Sequence, residues 1–182
     1  TVGDIDIRHG TNFGRSEPTG NRANNGGAIY FNGSVILSGI INFKYNTAAF
    51  QGGALAGDEN GSLRTLANTE CTFSGNEAEN DGGAISLSGN SSIIFDGNFY
   101  FDHNAANSRG GAIFTSSRSS ITSNNARFTF ESNGAGYVNM TYSDPSETGQ
   151  GGAIFSSGSR GISFGTSEFV DKSAPLGGAL YV

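Results

Sequence analysis

The feature that most constrains this chain is a short motif, Gly-Gly-Ala followed by Ile or Leu, which occurs six times. The spacing between successive copies is roughly 28 residues, with one long exception between Gly110 and Gly151. A period of this length is typical of a solenoid, in which each repeat packs only on its neighbours. The motif residues are Gly26, Gly27, Ala28, Gly52, Gly53, Ala54, Gly82, Gly83, Ala84, Gly110, Gly111, Ala112, Gly151, Gly152, Ala153, Gly177, Gly178 and Ala179.

A second motif, Phe-x-x-Asn, precedes four of these copies. Its first three copies each begin at the same short distance before the next Gly-Gly-Ala, whereas the fourth begins more than twice as far before Gly151. The extra residues therefore fall at 134–150, which we predict to be an inserted loop. The motif residues are Phe43 with Asn46, Phe73 with Asn76, Phe101 with Asn104, and Phe130 with Asn133.

Each repeat unit divides into three short runs of strand-forming residues separated by Gly, Asn and Ser, and none shows helical spacing. The third run alternates, so that pairs such as Cys71 and Phe73 share one face. This pattern predicts an all-β fold, a right-handed parallel β-helix (solenoid) of about six coils of three short strands, with residues 1–182 as a single fragment of a longer domain.

The two motifs have structural roles in such a coil. We expect the motif phenylalanines, together with Phe169, to stack as an interior column. The motif asparagines should form a ladder at a corner where Asn tolerates a left-handed backbone. Lys172 replaces Asn in the last coil, so that corner should differ. The paired glycines should form a corner without a Cβ atom.

Composition excludes some function classes. The net charge is −6, and the ten Lys and Arg residues are scattered, so no basic stripe could neutralise a nucleic acid backbone. No apolar run approaches the ~18 residues that a membrane-spanning helix needs. We therefore expect neither a nucleic acid partner nor a membrane segment in this fragment.

The two motifs in this phase, from Gly26 to Leu180, resemble the passenger region of the chlamydial polymorphic membrane proteins, autotransporters with repeated GGA[ILV] and FxxN. The resemblance implies a virulence factor at the bacterial outer membrane or cell surface, with a secreted passenger fragment as one form. The passenger would follow a leader and precede a C-terminal barrel in the outer membrane. It also implies an adhesin whose partner is a host-cell receptor of the growth-factor-receptor type.

Sites of chemistry are not expected. The tightest acidic group, Glu77, Glu79 and Asp81, is interpreted as a solvated corner rather than a calcium or catalytic site. His103 is interpreted as a polar corner residue, as is His9, and Cys71 as a buried apolar residue. We therefore predict no enzyme activity, no metal and no cofactor. A carbohydrate-active β-helix, of the lyase or hydrolase type, stays open as an alternative.

The inserted loop at 134–150 is the candidate contact site, beside the outward strand faces. Tyr137, Val138, Met140 and Tyr142 place four apolar or amphipathic groups close together in the sequence, and tyrosine is enriched among residues that dominate binding energy. A tether that packs back on the coil is the alternative for this loop. Self-association as a homo-oligomeric scaffold is a further alternative for the whole fragment.

Overall fold

The protein is a parallel β-helix, as predicted. A computed structural model describes residues 5–8, 10–14, 20–138, 141–142 and 149–182, with only the backbone described at 5, 6, 137, 138, 141 and 142. These residues form strands, turns and bends but no helix, and accordingly none of them forms a helix able to span a membrane. Four parallel sheets run along the column, and each coil contributes one strand to each sheet in turn, except that the last coil has no strand in the third sheet.

The first two sheets each contain six strands, and every neighbouring pair is parallel. The strands of the first sheet are Ile5–Ile7, Ser34–Leu37, Ser62–Thr65, Ser92–Phe95, Ser120–Ser123 and Gly161–Ile162. The strands of the second sheet are Thr11–Phe13, Ile40–Lys44, Thr69–Ser74, Gly97–Asp102, Arg127–Glu131 and Thr166–Val170. The second sheet carries the phenylalanine of each Phe-x-x-Asn motif.

The third and fourth sheets follow the two motifs along the chain. In the coils with a Phe-x-x-Asn motif, the strand of the third sheet begins directly after the motif asparagine. The strands of this sheet are Arg22–Asn25, Thr47–Gln51, Glu77–Ala78, Ala105–Ala106 and Gly134–Ala135. The fourth follows each Gly-Gly-Ala and consists of Ile29–Phe31, Leu55–Gly57, Ile85–Leu87, Ile113–Thr115, Ile154–Ser156 and Leu180–Tyr181. A two-stranded antiparallel hairpin, Tyr137–Val138 with Thr141–Tyr142, lies outside these sheets.

The coil has four strands rather than the predicted three. The additional strand is the third-sheet strand, which is only two residues long in the central coils, as at Glu77–Ala78. A two-residue strand is too short to show alternation, so the sequence pattern merged it with the corner. Five turns separate the first and last strands of each six-stranded sheet, which agrees with about six coils. The predicted right-handed sense rests on the general preference of parallel crossovers and stays a prediction.

Aromatic stacking fills the interior, as the sequence predicted. Phe43, Phe73, Phe101 and Phe130 are fully buried, and neighbouring ring centroids lie 4.7–4.8 Å apart with interplanar angles of 12° or less. Phe169 extends the column at one end, at 4.9 Å. Phe13, which belongs to no Phe-x-x-Asn motif, extends it at the other end, also at 4.9 Å. The ring spacing equals the distance between paired strands, so the sheet register sets the stack.

The motif asparagines form a buried ladder that ties each coil to both neighbours. The side-chain amide of Asn76 donates to the Phe43 carbonyl at 3.0 Å and to Asn104 Oδ1 at 2.9 Å. The backbone N–H of Asn76 also donates to Asn104 Oδ1, at 3.1 Å. The same contacts recur at Asn46 and Asn104. The ladder therefore satisfies backbone groups that would otherwise be buried without partners.

The predicted backbone conformation of these asparagines was wrong by one residue. The left-handed residue is the one before each asparagine, as in Tyr45 (φ 56°), His103 (φ 50°) and Ser132 (φ 49°). This arrangement turns the corner early, so the asparagine side chain points into the coil and reaches the backbone. Asp171 (φ 52°) keeps the same corner in the last coil, where Lys172 takes the place of asparagine.

The paired glycines solve two different problems. The first glycine of each pair has a positive φ, between 59° and 68°, which strains residues with a Cβ atom. The second glycine lies against the next coil: a Cβ atom on Gly83 would lie 2.1 Å from the Gly111 carbonyl oxygen and 2.5 Å from that of Ala105. The motif therefore permits coils to stack closely at this corner.

Candidate binding surface

The repeat motifs of the central coils are interior features, so their residues are not positioned to contact a partner, whereas Gly177 and Gly178 of the last copy are exposed. The motif asparagines are at most 1% exposed, and the motif phenylalanines are buried equally well. Any binding by this column must therefore come from the outward residues of the sheets, from the corners or from the insertion. The motif residues support binding only by holding these surfaces in place.

The acidic corner differs from its predicted solvated state. Asp81 is fully buried, and its carboxylate accepts hydrogen bonds from both Nε and Nη2 of Arg109, at 2.8 and 2.7 Å. The side-chain amide of Gln51 donates to the same carboxylate at 3.2 Å. A buried carboxylate needs such partners because it has lost its hydration. Glu77, by contrast, is half-buried, and Glu79 is exposed as predicted.

Arg109 also packs on two aromatic rings. Its guanidinium carbon lies 4.7 Å from the centroid of Phe114 and 5.1 Å from that of Phe155. These rings are stacked on each other at 5.4 Å on the fourth sheet. A cation at this distance from a ring is attracted to its face. Arg109 is therefore held on both sides, and Asp81 is committed to structure rather than to proton transfer.

The isolated titratable candidates have structural surroundings. Burial raises the pKa of the Cys71 thiol to about 12, which keeps it protonated and unreactive near neutral pH. His103 lies at an exposed corner, where its Nδ1 contacts the Asp102 carboxylate. His9 lies outside the described residues. No group of three His, Cys, Asp or Glu side chains able to hold a metal ion occurs in the part of the chain that the structure describes.

The pKa of Lys172 is shifted as well. Partial burial lowers the pKa of its ammonium group to about 8, although the nearby carboxylates of Asp171, Glu131 and Asp102 act in the opposite direction. Its Nζ contacts the Val170 carbonyl. Lys172 thus lies at the corner where the asparagine ladder ends.

The insertion is shorter than the predicted range of 134–150. Gly134 and Ala135 are buried and still pair with Ala105 and Ala106. Gln150 resumes pairing, with Arg109. Paired residues of the two coils are 29 positions apart in the sequence at Gly134 and 41 apart at Gln150. The difference of twelve positions is the length of the insertion. The inserted residues begin after Gly136.

The proposed contact residues fall in this insertion. Tyr137 and Val138 pair with Tyr142 and Thr141 in the antiparallel hairpin, so Tyr137 and Tyr142 are direct partners across it. Met140 lies outside the described residues, and the side chains of the other three do as well. The contact role of these four residues therefore stays a prediction.

The outward faces of the first and second sheets carry exposed apolar side chains. Tyr100 is 49% exposed and lies between Thr72 and Thr129 on the second sheet. Ile94 and Ile40 are exposed to about the same extent, at 40% and 42%. The sequence reasoning did not name these residues, although each lies one position from an interior residue of an alternating strand. Alternation alone could have identified them as outward facing.

Comparison with known families supports the motif interpretation. Residues 70–88 and 127–157 match the model of the Chlamydia polymorphic membrane protein (Chlamydia_PMP) repeat. The chain is similar to this repeat in these two segments. The first matched segment contains Phe73, Asn76 and the copy at Gly82, and the second contains Phe130, Asn133 and the copy at Gly151. The model describes the repeat alone, so it does not support assigning the chain to a particular member of that family, such as its D member. No curated protein and no solved structure matches the chain significantly.

Proposed function

We propose that this chain is a surface-exposed segment of a bacterial outer-membrane protein of the polymorphic membrane protein type, and that it acts as an adhesin. The main support is that two segments of the chain match this family's repeat. In addition, all described motif side chains of the central coils face the interior, which leaves the outward residues for binding. A repeat used in this way builds a rigid column and leaves its outward residues free to differ from coil to coil.

The outward residues supply the recognition surface in this proposal. On the second sheet, the position of Tyr100 is taken by Asn42, Thr72, Thr129 and Glu168 in other coils. One strand position thus presents aromatic, amide, hydroxyl and acidic groups in a line along the column. A host-cell receptor of the growth-factor-receptor type would be the partner, and the binding energy would come from a few such outward residues.

A cell-binding assay with the isolated fragment tests this proposal. Labelled folded fragment should bind host epithelial cells saturably, and unlabelled fragment should displace it. The heat-unfolded fragment is the control for non-specific adhesion. Equal binding by folded and unfolded fragment would contradict the proposal. A soluble growth-factor-receptor ectodomain, added as competitor, separately tests the partner class.

The two alternatives are tested differently. The acidic corner gives no support to a carbohydrate-cleaving enzyme, because the Asp81 carboxylate is paired with Arg109. Release of reducing ends from a polyuronate, abolished by Asp81→Asn, would nevertheless establish one. Self-association remains an alternative whose measurement is the molar mass of the fragment by light scattering.

A further inference from the structure

A cleft of about 510 Å³ opens on the side of the column, where the first sheet turns into the second. Three successive coils form its walls: Asn98 from one coil, residues 123 and 125–127 from the next, and residues 164–166 from the third. Asn98, Arg127 and Thr166 are register partners on the second sheet. The cleft therefore runs along the side wall, and its size is in the range of roughly 300–1,000 Å³ that ligand sites occupy.

Unequal corner lengths create this cleft. The length of the corner is the number of residues from a register position on the first sheet to a register position on the second. It is six in the first of the three coils, seven in the next and five in the third, counted from Ser92 to Asn98, from Ser120 to Arg127 and from Gly161 to Thr166. The middle coil is thus the longest, and the coil after it is the shortest. Asn125, with φ 62°, lies in the longer corner, and the shorter corner beside it leaves the recess.

The cleft contains an exposed cation, Arg127. It makes no ion pair within the described residues, and its strand partners Asn98 and Thr166 are uncharged. None of the described residues that line the cleft is acidic. In a chain with a net charge of −6, this is a local site that favours an anion. A guanidinium group matches a carboxylate with two parallel hydrogen bonds.

The remaining lining residues suit a hydroxylated ligand. The side chains of Asn98, Asn125 and Thr166 make no hydrogen bond to another described residue, and amide and hydroxyl groups can both donate and accept. Phe164 supplies an apolar ring, held by edge-on packing against Phe128 at 4.7 Å. These polar groups, the guanidinium and the fixed ring together match the hydroxyl groups, the charge and the C–H face of an acidic sugar.

We propose that this cleft binds the acidic terminal sugar of a glycan, with Arg127 pairing with the sugar carboxylate and with Asn98, Asn125 and Thr166 binding its hydroxyl groups. The biological setting rests on the proposed adhesin function, since host-cell surfaces carry such sugars. The binding chemistry itself rests on the cleft alone.

Titration of the folded chain with defined sugars tests the cleft. The chain should bind 3′-sialyllactose or methyl β-glucuronide, two sources of the same carboxylate, and should not bind lactose. Arg127→Gln should weaken that binding at least about tenfold, as expected for one lost charge-assisted hydrogen bond. Arg64→Gln is the matched control, because Arg64 also lies on an outward strand position, between Ile36 and Ile94 of the first sheet. It should leave the binding unchanged.

Three results would overturn the cleft proposal: no binding of either acidic sugar, equal binding of lactose, or equal loss of binding with Arg64→Gln. Asn125→Gly provides a second test in the longer corner, because glycine tolerates the positive φ of this position. It should also weaken binding, and it keeps the proposal testable where Arg127→Gln does not fold. The sugar titration tests whether the cleft binds an acidic sugar, and the cell assay tests whether the chain acts as an adhesin. Cell binding without sugar binding leaves the adhesin intact, and sugar binding without cell binding leaves the cleft intact.

Discussion

Single residues in this fold are constrained mainly by the coil stacked next to them. Gly83 and Gly178 occupy the same motif position, but within the described residues only Gly83 lies against a following coil. Their comparison isolates the effect of that neighbour from the effect of the motif.

We predict that Gly83→Ala destabilises the chain by about 1–3 kcal/mol or more, because the new Cβ atom would lie 2.1 Å from the Gly111 carbonyl oxygen. Gly178→Ala should be nearly neutral, since the nearest described atom would be 3.8 Å away. Urea unfolding followed by circular dichroism measures both. Equal free energies of unfolding for the two variants would show that the close approach of coils does not explain the second glycine.

The Cys71 thiol provides a prediction about pH. Its pKa in the folded chain is about 12, against an ordinary value of 9.0, because burial disfavours the thiolate. The folded thiol should therefore not react with a disulfide reagent at pH 8, whereas the unfolded thiol should react fully. Because the folded pKa is the higher one, this group's contribution to stability is complete below about pH 9 and falls as the pH rises towards 12. Rapid reaction without unfolding would contradict its burial.

Whole elements behave as ladders that run through several coils. The phenylalanine column and the asparagine ladder lie at the two ends of one four-residue motif, and both are continuous along the coils. We expect a substitution in one coil to destabilise the coils on either side as well, because neighbouring coils share their contacts.

We predict that Phe101→Ala costs about 3–5 kcal/mol, because it leaves a cavity between Phe73 and Phe130. Tyr100→Ala is the control, since Tyr100 is adjacent in the same strand but faces outward. It should change stability much less. Thermal unfolding measured beside cell binding separates structure from recognition: a Phe101→Ala chain that kept its melting temperature but lost binding would contradict the interior role.

The ladder prediction concerns Asn104. Asn104→Ala removes the acceptor for the Asn76 backbone N–H and leaves the Phe73 carbonyl without the donor Nδ2. Each buried polar group left unsatisfied costs about 1–3 kcal/mol, so the loss should exceed that of Asn42→Ala, whose amide bonds Asn12 at the surface. Urea unfolding of both variants measures the difference, and a smaller loss for Asn104→Ala would contradict the ladder.

The sequence predicted the interior of these elements better than their corners. The Phe and Asn motifs identified the stacking partners, because residues at one phase of a parallel coil must lie above one another. Strand Glu77–Ala78 was missed because two residues carry no periodicity. The Asp81–Arg109 pair was also missed, although both residues come directly before a Gly-Gly-Ala motif and carry opposite charges in successive coils. Their shared position in the repeat, one coil apart, was the sequence signal that predicts this ion pair.

At the scale of the whole molecule, the column separates scaffold from surface. The cleft arises from a difference in corner length between coils, and the insertion from a difference in loop length. Both are departures from the repeat. A sequence pattern can locate them but cannot give their shape, because shape depends on the neighbouring coil. The predicted insertion at 134–150 included Gly134 and Ala135, which pair with the preceding coil as part of the third sheet.

Replacing residues 137–148 by a short Gly-Ser link should leave the fold intact, because the residues on either side pair with the preceding coil and loop length costs little. If the insertion is the contact site, this variant should lose cell binding while its melting temperature changes by only a few degrees. Full binding by the shortened chain would direct attention to Tyr100 and the other outward residues.

The register of the sheets has a mechanical consequence. Each coil contacts only the coils before and after it, so a chain pulled from one end should release one coil at a time rather than all together. Phe101 and its register partner Phe130 are one coil apart, which corresponds to about 100 Å of extended chain per step. The coil from Arg109 to Gln150 contains the insertion and should give a step of roughly 140 Å. Force spectroscopy would record this column as a row of nearly equal steps with a longer one at the insertion.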